Sequence, residues 1–123
     1  MLDAKGADLI LVAGLANADA TVQYIKKLIN PKVTIVPMGH EAITPSLEDD
    51  ICAQYIKARL KDQTINIISY HEVLREGAGK YFFSTDQWQY PQEDFNHCLE
   101  LDRFNFAIQA IVQDDYAILM RCD

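Results

Sequence analysis

The feature that most narrows what this 123-residue chain can fold into lies near its start: an apolar run, a segment of helical period, and a second apolar run. Asp8 to Val12 (DLILV) is a continuous apolar stretch ended by Ala13-Gly14, the pattern of a strand covered on both faces. Asn17 stands where a helix cap is wanted, and Ala18 to Ile29 carries Val22, Ile25, Leu28 and Ile29 at helical spacing. Lys26 and Lys27 fall near its end, where cations suit the helix dipole, and Asn30-Pro31 stops it. Val33 to Val36 (VTIV) reads as a second short strand, closed by Pro37-Met38-Gly39. Two strands joined by one helix over about 30 residues form a βαβ unit, whose strands pair in parallel. The expected fold class is therefore α/β: three layers, α/β/α, around a partly parallel, mixed sheet.

A second helix has the clearest start signal. Pro45 precedes Ser46, and Ser46-Leu47-Glu48-Asp49 is a near match to a capping box, with Asp in place of the usual Glu. Leu47, Ile51, Cys52, Tyr55, Ile56 and Leu60 form one apolar stripe reaching to about Asp62. Glu48, Asp49 and Asp50 crowd the first turn, where the helix dipole favours carboxylates. The same placement puts acidic groups beyond the carboxyl end of the second strand. Open α/β sheets bind ligands there, and Mg²⁺ needs only one or two carboxylates while keeping several waters.

Downstream, Ile65 to Arg75 has helical period, with Ile67, His71 and Leu74 on one face and Gly77 as its stop. Gly77-Ala78-Gly79-Lys80 lacks the spacing of a phosphate-binding loop, so a helix terminus is the expected role. The aromatics Tyr81, Phe82, Phe83, Trp88, Tyr90 and Phe95 are expected to form a small hydrophobic core under a long loop. Pro91 opens a helix over Gln92 to Leu101. Phe104 to Val112 and Tyr116 to Cys122 are β-rich runs separated by Gln113-Asp114-Asp115, read as a C-terminal hairpin. Whether that hairpin extends the sheet or packs separately is open at this stage.

Half the residues are apolar, sufficient for one core, and the length suits a single domain spanning residues 1–123. A net charge of −7 opposes nucleic acid or an anionic membrane surface as a partner. No apolar run approaches the roughly 20 residues of a spanning helix. Met1 to Lys5 lacks the basic-then-apolar order of a signal peptide. Cys52, Cys98 and Cys122 are widely spaced and odd in number, which fits reduced thiols and a cytoplasmic location. Cys52 and Cys98 fall on apolar helix faces and are expected in the core, and His97-Cys98 matches no zinc spacing.

Gly14-Leu15-Ala16-Asn17-Ala18-Asp19-Ala20 after a strand, then Val33 to Gly39 and Ser46 to Ala53, resembles the later half of the 2-phosphosulfolactate phosphatase family. Pro91-Gln92-Glu93-Asp94-Phe95 and Leu101-Asp102-Arg103-Phe104 fit the C-terminal portion of that family, so the resemblance runs over most of the chain. It implies a Mg²⁺-dependent hydrolase converting (R)-2-phospho-3-sulfolactate, or a similar phosphate ester, to the hydroxy acid and phosphate, a step of coenzyme M biosynthesis. The Arg-containing and Thr-Thr-Asn-Gly-Thr segments of the family's N-terminal half have no counterpart here. The partners implied are a small phosphorylated acid and that missing N-terminal half, and this chain alone is expected to be inactive.

On this reading Glu48 and Asp49 are the catalytic pair, as metal ligands or water-orienting groups. Gly14, Asn17, Gly39 and His40 border the substrate cleft, His40 as a possible general acid. Asp94 and Asp102 match family positions but read equally as a helix-start charge and a surface cap. Eleven basic residues stand against 18 acidic ones, and none lies in the Gly14–Ala20 turn or between Pro37 and Asp50, so the groups binding a multiply anionic substrate are expected elsewhere. Two other readings stay open: a non-catalytic α/β module that self-associates, including as a homo-oligomer, and a module that binds Mg²⁺ or a phosphorylated ligand without turnover.

Overall fold

The computed structural model describes residues 4, 6–76, 78–85, 88–89 and 91–123. The expected stop at Gly77 and the aromatic Tyr90 lie outside the described residues, as does the side chain of Tyr81. In chain order the elements are strand β1 (Leu11–Val12), a 3₁₀ turn (Leu15–Asn17), helix α1 (Ala18–Lys26), helix α2 (Leu47–Leu60), a 3₁₀ turn (Ile68–Tyr70), helix α3 (His71–Glu76), a 3₁₀ segment (Ala78–Phe83), helix α4 (Gln92–Leu99), and strands β2 (Ala107–Val112) and β3 (Ala117–Cys122).

Helices α1 and α2 form where the apolar stripes predict them, and their buried faces meet. Leu15, Ala18 and Val22 pack with Ile51, Cys52, Tyr55 and Ile56, and Ile67, Leu74 and Leu99 close the cluster. Val22 is fully enclosed; burying such a side chain contributes roughly 1.5–3 kcal/mol. The helix expected through Ile29 ends at Lys26, because Asn30 turns to φ 48°, and Ile29 is left 93% exposed. The helical face expected from Ile65 to Arg75 buries Ile67 and Leu74, but the segment is a 3₁₀ turn followed by six α-helical residues.

The sheet differs from expectation. It has three strands in the order β1-β2-β3, and both pairings are antiparallel. The hairpin extends the first strand: Leu11 faces Gln109, Val12 faces Ile108, and Ala107 to Val112 runs against Ala117 to Cys122. Gln113 donates its N–H to the Tyr116 carbonyl across the turn, at 2.7 Å. The parallel βαβ pairing is absent among the described residues. Val33 to Val36 has the composition of a strand yet joins no sheet. A strand exists only through a neighbour that takes its backbone groups, and no described segment bonds to these. The three-layer, partly parallel arrangement is thereby corrected to helices packed with a small antiparallel sheet.

Two further expectations fail for local reasons. Trp88 is 94% exposed and does not join the aromatic core. Among the described residues that core consists of Phe82 and Phe83 around Phe95, with ring centroids 6.1 and 5.0 Å away, and Arg75 over Phe83. Cys98 is exposed rather than buried, since α4 turns Leu99 and Phe95 inward instead.

Long-range polar bonds tie the C-terminal segment to the helices. Asp102 accepts the Asp19 N–H through Oδ1 and the Tyr55 hydroxyl through Oδ2, both at 2.7 Å. Beside it, Asp102 and Phe104 donate their N–H groups to the Leu15 and Ala16 carbonyls. Arg59 pairs with Asp19 at 2.7 Å. Burial and then the bond to Asp102 push the Tyr55 hydroxyl up from 10.0 to about 12. The surface cap expected at Asp102 is in fact a junction between α1, α2 and the approach to β2.

Candidate functional site

A cleft of about 1140 Å³ runs along β1, residues 31–38 and the start of α2. Its bed is apolar, formed by Leu15, Ile25, Cys52, Ile56 and Leu99. Gly14, Glu48 and Asp49 line it, and these are three of the residues expected from the sequence to form the site. Asn17, Gly39 and His40 lie outside its lining.

Each placement has a local cause. Asn17 is buried, its side chain folded back into the turn: Oδ1 accepts the Gly14 N–H at 2.9 Å and Nδ2 donates to the Val12 carbonyl. It thereby stabilises the β1–α1 turn and makes no side-chain cap bond to the helix. Ser46 is the N-cap residue of α2, but its hydroxyl makes no capping bond, and its Oγ is buried without a partner among the described residues. Asp49 also leaves the expected capping box. Its Oδ2 instead accepts the Gly39 N–H at 2.7 Å, joining the start of α2 to the loop before it.

That loop is tightly turned. His40 and Thr44 exchange backbone hydrogen bonds at 2.8 and 3.1 Å, and Glu41 and Ala42 between them both have positive φ, 54° and 56°. Two positive φ values in sequence suit the primed turns of hairpins, and each costs a non-glycine residue about 1–2 kcal/mol. Strain of this kind gathers at functional loops. Gly39 itself has φ +68°, and an added Cβ would collide with the Thr44 carbonyl oxygen. Gly39→Ala should therefore lower stability by about 2–3 kcal/mol. Gly14→Ala, at φ −137° with nothing within 4 Å, should stay within about 0.5 kcal/mol. Urea denaturation of the two variants checks the contrast; equal losses would mean the loop before α2 is not held as described.

The electrostatics of the cleft are one-sided. Among its described lining residues Asp8, Glu48 and Asp49 are acidic and Lys32 alone is basic. Glu48 has no hydrogen-bond or ion-pair partner among the described residues, and Asp49 uses one carboxylate oxygen on Gly39. No group of three or more His, Cys, Asp or Glu side chains that could hold a metal occurs among the described residues. Two half-buried carboxylates with free oxygens nevertheless suit the sparse, water-rich coordination of Mg²⁺. Cys52 lines the cleft too, but burial and then the charges of Asp49 and Asp102 push its thiol from 9.0 to about 11. It stays protonated near neutrality and is a poor nucleophile.

Gly79 is buried, and an added Cβ there would strike Phe95 and the Leu74 carbonyl. Glycine there permits close packing, as a role other than phosphate binding requires. No helix among the described residues is long and apolar enough to cross a membrane.

Helices packed with a small sheet, and two carboxylates presented from a helix start into a deep cleft, define an α/β protein with an acid-lined site. The chain belongs to the 2-phosphosulpholactate phosphatase family, whose model matches residues 1–111. A relative from Bacillus subtilis (strain 168), described as "Probable 2-phosphosulfolactate phosphatase", is 32% identical over 103 residues, which cover 79% of this chain and 42% of the relative. The chain thus spans less than half the length of that relative. No solved structure gives a significant match.

Proposed function

We propose that this chain supplies the carboxylate wall of a Mg²⁺-dependent phosphoric monoester hydrolase acting on 2-phosphosulfolactate or a closely similar phosphate ester, a reaction of the coenzyme M type. Polypeptide that the chain does not span supplies the anion-binding wall. The observation that carries this reading is the charge of the cleft, three carboxylates against one lysine in a chain of this family. A substrate bearing phosphate, carboxylate and sulfonate cannot be held by such a lining alone, since phosphoryl transfer is catalysed chiefly by positioning and by neutralising the equatorial oxygens.

Glu48 and Asp49 are the residues that would hold the metal. When bound, Mg²⁺ supplies charge neutralisation at the phosphoryl oxygens. Asp49 is fixed by the Gly39 N–H, so its second oxygen has a defined direction. Glu48, with no partner among the described residues, is free to orient the attacking water or accept its proton. His40, exposed in the strained turn next to Gly39, is the candidate acid for the leaving oxygen. The apolar bed below keeps bulk water from the reacting end.

The test is phosphate release from 2-phosphosulfolactate, with and without Mg²⁺, by this chain alone and with the polypeptide corresponding to the rest of the Bacillus relative. The expected result is release only from the completed assembly and only with Mg²⁺. Release by the isolated chain would show its site to be whole, and a completed assembly that releases no phosphate would remove the phosphatase reading.

A further inference from the structure

The Val33–Val36 segment has a physical peculiarity that the proposed chemistry does not use. Residues 31–38 run without helix, turn or bridge, and among the described residues none of their backbone groups takes part in a backbone–backbone hydrogen bond. Val33, Val36 and Met38 are 42%, 66% and 50% exposed. Across the same cleft, β1 is hydrogen-bonded along one edge only, to β2, and ends the sheet. Leu9, Leu11 and Ala13 line the same cleft as Val33 to Met38. Two strand-like edges therefore border one apolar trough, and neither is paired across it.

Natural sheets protect open edges with charges, prolines, bulges or covering elements. Here Lys32 is the one charge within residues 31–38, and Pro31 and Pro37 stand only at the ends of the run. The trough, at about 1140 Å³, also exceeds the roughly 300–1,000 Å³ of an ordinary small-molecule pocket. Unpaired backbone on both sides and an apolar floor suit an extended peptide, which supplies main-chain hydrogen bonds to each edge and alternate side chains to the floor.

We infer that the trough between β1 and residues 31–38 is a strand slot, filled by an extended apolar segment from the part of the family's polypeptide that this chain does not span. The inference rests on the reading that such polypeptide completes the site. The occupant follows from length: the Bacillus relative has more than half its chain outside the match. An inserted strand turns the orphan β1 and Val33–Val36 into neighbours of one continuous sheet. It also brings its own following loop to the end of the slot where Glu48 and Asp49 stand.

The probe is the portion of the Bacillus relative outside its match, co-expressed with this chain as a separate polypeptide. Light scattering should give a 1:1 complex. Amide exchange at Val33 to Val36, fast in the isolated chain, should slow by on the order of 100-fold in that complex. Val33→Pro and Thr34→Pro, made singly, remove N–H groups that face opposite edges, so one of them should abolish the complex. Neither breaks a backbone hydrogen bond of this chain, so its own unfolding midpoint should hold.

Failure to form a complex, or a complex in which these amides still exchange fast, overturns the slot. So does protection of the same amides in the monomer. Protection that appears only as this chain dimerises overturns the assigned occupant in favour of a second copy. Phosphate release separates the two readings. A protected complex without turnover keeps the slot and removes the catalytic proposal, whereas turnover with unprotected amides does the reverse.

Discussion

Asp102→Ala is expected to lower the unfolding free energy of this chain by about 3–5 kcal/mol, a large fraction of the roughly 5–15 kcal/mol of a domain this size. Two hydrogen bonds to a carboxylate are lost at once, each contributing about 1.5–3 kcal/mol. The Tyr55 hydroxyl, in a side chain only 6% exposed, is left without its acceptor, as is the Asp19 N–H at the start of α1. Asp102 also sits at φ 54°, which aspartate tolerates better than alanine. Asp102→Asn keeps one acceptor and the backbone tolerance, and should lose about half as much.

The coupling to Tyr55 makes the prediction specific. Tyr55→Phe should cost about 1 kcal/mol in the parent chain and almost nothing in Asp102→Ala, because the bond is already gone. The pH dependence follows from the direction of the shift. Folding holds the Tyr55 proton more tightly than the unfolded chain does, so that stabilisation is complete below about pH 10 and is lost as pH rises through about 12. Without the Asp102 bond that alkaline loss should be smaller and be complete at a lower pH, its onset near pH 10 unchanged. Urea titrations at pH 7 and along the alkaline limb measure both effects. A change below about 0.5 kcal/mol at pH 7 would show that the junction does not hold the C-terminal segment to the helices.

Why some of this was legible in the sequence and some not is a matter of range. The apolar stripes of α1 and α2 and the alternation of the terminal hairpin report interactions within a few residues or across one turn, so periodicity captures them. The position of Glu48 and Asp49 in the first turn of α2 was legible for the same reason, since Pro45-Ser46 marks where that helix starts. Asp102 was not, because its partners lie 83 and 47 positions away and nothing periodic marks them. The helix cap at Asn17 and the capping box at Ser46–Asp49 misled in a different manner. Asn17 and Asp49 have the expected residue types, but each found a competing backbone donor, at Gly14 and Gly39, that geometry favoured over its own helix. Val33 to Val36 is the most informative miss. Its composition is that of a strand, but a strand needs a paired neighbour, and none bonds this segment among the described residues, so composition alone misplaces it.

If the chain forms part of a phosphatase as proposed, Asp49→Asn should cut turnover of the completed assembly on the order of 10²–10³-fold while costing less than about 1 kcal/mol of stability. The two effects separate because Asn keeps an oxygen that can accept the Gly39 N–H and loses only the negative charge. Asp49→Ala removes both and should lose turnover and loop stability together. Glu48→Gln gives the complementary measurement. With no partner among the described residues to lose, its structural cost is confined to the helix-terminal charge, about 0.3–1 kcal/mol. A turnover loss on the order of 100-fold must then come from the reacting centre. Mg²⁺ titrations of activity distinguish the roles. A metal-holding carboxylate raises the Mg²⁺ concentration needed for half-maximal rate when neutralised, whereas a group that only orients water lowers the maximal rate and leaves that concentration unchanged. If Asp49→Asn retains both rate and Mg²⁺ dependence, its carboxylate serves only to hold Gly39, and the metal must be sought on polypeptide outside this chain.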